Sequence, residues 1–137
     1  MFATRMLSVI PHHSGQPSEV PDEFGVPLDI TPDPLQMLEL RPKVIEALKR
    51  VFDPEIPVNV YELGLVYDVL IDADRKVGVR MTLTAPACPA AQTLPGEVRD
   101  AAKSVAGVAG AKVEIVFEPP WSMERMTDAA KLQLGLL

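Results

Sequence analysis

The side chains best equipped for chemistry are few, and Cys88 leads them. It is the only cysteine in 137 residues and stands in Thr82-Leu83-Thr84-Ala85-Pro86-Ala87-Cys88-Pro89, between a patterned strand and the start of a helix. A thiol at the carboxyl end of a strand, facing the first N–H groups of a helix, is biased toward thiolate, the form that binds metal or attacks sulfur. A lone cysteine is equally a small buried hydrophobe. Asp53, Glu55 and Glu62 are the next candidates: paired carboxylates can do acid/base work, but Asp-Pro-Glu after a helix also makes a turn whose side chains cap backbone groups, and the turn is the reading favoured here. Thr82 and Thr84 fall on the outward face of their strand, on the way to Cys88, although threonine is also a good strand residue. Trp121, after Pro119-Pro120, is either a lid over the sheet edge or an exposed anchor for a partner.

What is missing narrows the chemistry. Both histidines, His12 and His13, lie in an irregular N-terminal stretch and read as a solvated pair. The patterned part of the chain therefore has no Cys-His nucleophile pair and no His-rich zinc site. One thiolate cannot supply the four that an iron-sulfur cluster takes. No Gly-rich phosphate loop is present. A metal or cluster must then be shared between chains, or completed by a partner or a small thiol, and a thiol-dependent enzyme ranks last because only carboxylates could serve Cys88 as a base.

These residues need elements to hold them. The net charge is −6, and 47% of residues are hydrophobic against 23% charged, as in ordinary soluble domains. Fourteen prolines are many, and seven (positions 11, 17, 21, 27, 32, 34 and 42) fall in the first 42 residues. Residues 1–37 read as a Pro-rich arm or extension, flexible or laid irregularly over the domain, and residues 38–137 as one domain. No basic stripe suggests nucleic acid as a partner. The N-terminus shows no export signal or membrane segment, and a single cysteine suits a reducing cytoplasm.

Helical spacing starts near Leu38 to Pro42, with Pro42 in the first turn, and continues through Val44, Ile45, Leu48, Val51 and Phe52 until Asp53-Pro54 stops it. An apolar loop leads to two strands with a clean period of two: Leu65, Tyr67, Val69, Ile71 and Val77, Val79, Met81, Leu83 form the core faces of an antiparallel hairpin. After the cysteine loop, Leu94, Val98, Ala101, Ala102 and Val105 mark a second helix; either residues 89–94 form a separate turn or Pro95 is its first residue. A third strand spans Ala111 to Glu118. A short last helix, capped by Thr127 or Asp128, runs to Leu134 and closes at Gly135. Helix-strand-strand-helix-strand-helix, with helices on one face of a small mixed sheet, is a compact two-layer α/β sandwich.

Two long motifs carry a resemblance. Asp53-Pro54-Glu55-Ile56-Pro57-Val58-Asn59-Val60-Tyr61-Glu62-Leu63-Gly64-Leu65-Val66-Tyr67, followed by Met81 to Pro89, resembles the metal-sulfur cluster assembly family that contains SufT and PaaD. The ending, Phe117-Glu118-Pro119-Pro120-Trp121 with Met126 to Gly135, is similar to the SufT branch. The resemblance implies a small non-enzymatic α/β factor that helps deliver iron-sulfur clusters, with Cys88 as transient iron or cluster ligand and Asp53, Glu55, Thr84 and Trp121 as family-motif or partner-binding positions. It implies scaffold or client proteins as partners, and a homodimer would let two Cys88 thiolates bridge one cluster. Two alternatives stay open: a metal-free interaction adaptor within the assembly machinery, and a PaaD-like accessory to phenylacetyl-CoA oxygenation. The latter ranks lower, because PaaD-type members continue into a Cys-rich, zinc-binding segment that these 137 residues do not contain.

Overall fold

A computed structural model describes residues 22–84 and 90–136. Helix α1 spans Pro34–Leu48, strands β1 and β2 span Val66–Ile71 and Lys76–Met81, helix α2 spans Ala90–Lys103, strand β3 spans Gly110–Ile115, and helix α3 spans Asp128–Gln133. Single 3-10 turns lie at Asp22–Phe24 and Met123–Arg125.

The sheet order is β1-β2-β3, antiparallel between β1 and β2 and parallel between β2 and β3. A tight turn suffices for the first pair, whereas the parallel pair needs a crossover, which α2 provides. Helices α1 and α2 pack on each other, with α1 over β1 and α2 over β3. Between the helices and the sheet lie Val44, Leu48, Val69, Ile71, Val77, Val79, Met81, Val98 and Val113, all buried. The two-layer mixed architecture matches the sequence expectation; several local details differ.

Helix α1 starts four residues before Leu38. Asp33 caps it, its Oδ2 accepting from Gln36 N at 3.1 Å, and Pro34 takes the first helical position, where a missing N–H costs nothing. Pro42 is thus inside the helix and not in its first turn. Pro95 likewise lies inside α2, so neither placement expected for it holds: the helix begins at Ala90 and runs through it. Tyr67 does not join the core face. The register slips between Val66 and Asp68, and the bulge turns Tyr67 to the sheet edge, where its hydroxyl donates to Pro119 O at 2.8 Å. Thr82 is buried at 1% exposure and not on an outward face, since β2 ends at Met81 and the chain there turns inward.

Residues 22–33 form a strap. Phe24 is buried in the core, and Arg99 of α2 lies over its ring at 5.4 Å. From β3 the strap then crosses the sheet face opposite the helices. Leu28 N donates to Glu114 of β3 at 3.3 Å, Leu28 and Ile30 lie over Gly78 of β2, and Asp33 N donates to Ile71 O of β1 at 2.8 Å. Gly78 makes the crossing close: a Cβ there would meet Ile30 Cγ1 at 2.8 Å and Leu28 Cδ1 at 3.0 Å. Beside the strap, Asp68, Arg80 and Glu114 from the three strands form a row. Arg80 Nη1 lies 2.8 Å from Asp68 Oδ2 and its Nε 3.0 Å from Glu114 Oε1. Hydrogen bonds to Glu114 first and Asp68 second raise the Arg80 pKa further above its ordinary value.

Candidate functional site

The Asp53-to-Gly64 loop is built from within by one buried carboxylate. Asp53 is 3% exposed, and its Oδ2 accepts from the backbone N–H of Glu55 at 3.2 Å and of Ile56 at 3.0 Å. A carboxylate held this way satisfies two donors at a turn past the end of α1, which stops at Leu48 and does not run on through Phe52 to Asp53-Pro54 as the spacing predicts. The turn reading of Asp53 is what the geometry shows, while Glu55 is exposed on the same turn. A bridge between Phe52 and Asn59 and the bond from Val60 N to Val51 O at 2.8 Å fold the loop back on itself. Its apolar side chains Val58, Val60 and Leu63 fill the core.

From outside, the C-terminal segment clamps the loop at four points. Trp121 Nε1 donates to Leu63 O at 2.8 Å, and Gln133 Nε2 donates to Pro57 O at 3.1 Å. Glu62 accepts a hydrogen bond from the Thr127 hydroxyl, and its carbonyl accepts from Thr127 N at 2.9 Å. Gly64, at φ +86°, passes so close to Arg125 that a Cβ would lie 2.3 Å from the Arg125 carbonyl oxygen. Lys49 Nζ adds a 3.7 Å pair with the second Glu62 oxygen.

The loop also touches the path to the cysteine. Thr82 N donates to Leu65 O at 2.8 Å, so the backbone that continues to Leu83 and Thr84 is tied to the loop's end. Leu83 is buried and Thr84 half-buried. Cys88, with residues 85–89, lies outside the described residues. Among the sequence candidates, Asp53 and Glu55 thus share one turn, Trp121 reaches that loop through Leu63, and Thr84 stands at the last described position before the cysteine segment. Glu62 and Thr127 turn out to be a joint between loop and C-terminal segment, a long-range pair that no local period reveals.

Among the described residues no group of three or more histidine, cysteine, aspartate or glutamate side chains is arranged to hold a metal ion. None of the described helices is long and apolar enough to cross a membrane.

Residues 41–115 match the family described as iron-sulfur cluster assembly protein. The chain belongs to that family. Within it, the chain is 48% identical over 102 residues to an Fe-S protein maturation auxiliary factor of Porphyromonas gingivalis, covering 74% of this chain and 97% of that protein. It is 35% identical over 86 residues to the Fe-S protein maturation auxiliary factor SufT of Staphylococcus aureus, covering 63% of this chain and 98% of that one. A domain of unknown function from Bacillus anthracis superposes with a TM-score of 0.71 at 35% identity, over 77% of this chain and all of that one. The matched family region holds the Asp53 loop, the hairpin, the cysteine segment and β3, while the clamp from Trp121 to Gln133 lies beyond it.

Proposed function

We propose that this protein is an iron-sulfur cluster maturation factor, which helps deliver clusters to client proteins without turning over a substrate of its own. The observation that carries the reading is the family membership of residues 41–115, a stretch that contains both Cys88 and the turn built on Asp53. The maturation-factor names of its relatives support it.

In this reading the cluster or iron is cargo and Cys88 is its transient ligand. A single thiolate leaves the remaining positions to a second copy of the chain, a partner protein or a small thiol, and that incompleteness suits a group that must be passed on. The clamped loop is the rigid part beside this mobile chemistry. Asp53 holds the turn from within, Glu55 is exposed on that turn, Thr84 is the last described residue before the cysteine segment, and Trp121 ties the C-terminal segment to the loop; the exposed parts of this loop are the surface offered to a scaffold or client. The work takes place in the cytoplasm, where thiols stay reduced.

Replacing the chromosomal copy with Cys88→Ser tests the function. Iron-sulfur enzyme activities should fall severalfold while the protein itself accumulates normally. Unchanged activities at normal protein level would reject the ligand role and leave a metal-free adaptor, whose contacts with partners depend on the loop and Trp121.

A further inference from the structure

A cleft of about 590 Å³ runs along β1 between α1 and the C-terminal segment. Its charged lining is unusual for a chain with nineteen acids and thirteen bases. Arg80 at the cleft is already shared between Asp68 and Glu114 within the three-strand row, so it has no charge to spare for a ligand. Arg41 and Arg125 do not have such partners: neither forms an ion pair with a described carboxylate. Each is nevertheless positioned. Arg41 donates its Nε to Val69 O at 3.3 Å. Arg125 lies over the Tyr67 ring at 4.7 Å, and that ring is itself fixed by the hydroxyl bond to Pro119. Tyr61 lines the same cleft, and Glu118 is an acid of its lining besides Asp68.

We propose that this cleft binds a small molecule carrying two or more carboxylates. Guanidinium forks match carboxylates in charge and geometry, and two of them, from α1 and from the 3-10 turn at Met123–Arg125, call for a ligand with two anionic ends. Its volume is that of an ordinary small-ligand site. Tyr61 and Tyr67 line the wall beside the ligand's body, with Tyr67 held between Arg125 and Pro119, while Glu118 accepts from a ligand hydroxyl. The residues that would hold this ligand do not include the proposed cluster ligand, so the proposal neither needs nor tests the maturation role.

Titration of the full chain in metal-free buffer, followed by NMR, tests this with citrate, succinate and acetate as probes. Citrate and succinate should give saturable shifts at Tyr67 and at the side chains of Arg41 and Arg125, and acetate none. Arg41→Gln and Arg125→Gln should each weaken citrate binding about tenfold, whereas Arg75→Gln, which is not among the cleft's lining residues, should leave it unchanged. Arg125 is exposed, so its variant keeps the fold; Arg41→Lys, which retains the charge, should recover part of the loss caused by Arg41→Gln. Absence of saturation into the tens of millimolar, or citrate binding indifferent to both glutamine variants, would overturn the proposal. A peptide with a free terminal carboxyl that binds where citrate and succinate do not would overturn it too, assigning the cleft to polypeptide ends.

Discussion

At Gly64 the backbone takes φ +86° against the carbonyl of Arg125, and two independent constraints meet in one residue. Gly64→Ala must strain the turn and push the C-terminal segment away, so its stability should fall by about 2 kcal/mol or more. Urea unfolding reads this directly, and an unchanged midpoint would contradict the close approach. Asp53 has a different cause and a graded expectation. Asp53→Ala orphans the N–H groups of Glu55 and Ile56 in a partly buried turn and should cost about 2 kcal/mol, while Asp53→Asn, which keeps an acceptor oxygen, should cost less. Equal losses would mean that the charge, and not the cap, holds the turn. The cap was legible in Asp-Pro-Glu because turn chemistry is local. The inward turn at Thr82 was not, because a period of two continues past Met81 in the sequence although the strand stops there.

Among the elements, the hairpin was the most readable, since one face is buried and alternation records that. Its exception, Tyr67, shows the limit: a bulge inserts a residue without changing the residue types around it, and the side chain goes to the edge instead of the core. The start of α1 was hidden for another reason. Asp33-Pro34 is a good helix beginning, but it lies among other prolines and reads as part of the arm, while Pro42 looks like a first-turn residue when it stands in the interior. The strap had no period to betray it, because Phe24 enters the core while Leu28 and Ile30 lie over Gly78 on the sheet face opposite the helices. Gly78→Val tests its packing. The added side chain collides with Ile30 and Leu28, so hydrogen exchange at the amides of Leu28 and Asp33 should accelerate well before exchange in β2 changes. Retained protection at both amides would show that the strap does not depend on the space Gly78 leaves. Arg80→Leu should cost about 1 kcal/mol by leaving Asp68 and Glu114 without their shared cation, as thermal unfolding would report; an unchanged midpoint would mean that the row adds nothing.

At the scale of the molecule, the described residues form a two-layer domain whose C-terminal segment locks the Asp53 loop and whose strap crosses the far face of the sheet, and the single cysteine comes seven residues after β2 in the sequence. The layers were legible because burial leaves periodic traces. The candidate site rests on two sequence motifs, whereas the clamp contacts of Trp121, Arg125, Thr127 and Gln133 were not legible, because Trp121–Leu63 and Gln133–Pro57 join residues 58 and 76 positions apart in the chain. The proposed ligand role of Cys88 is tested most directly by anaerobic reconstitution: the chain is incubated with iron and sulfide, desalted, and read for its visible spectrum and bound iron per chain beside Cys88→Ser. The wild type should retain a cluster at less than one per chain, since its other ligands come from outside, and the variant should retain none. Equal iron in both proteins, or none in either, would contradict a cluster held by Cys88.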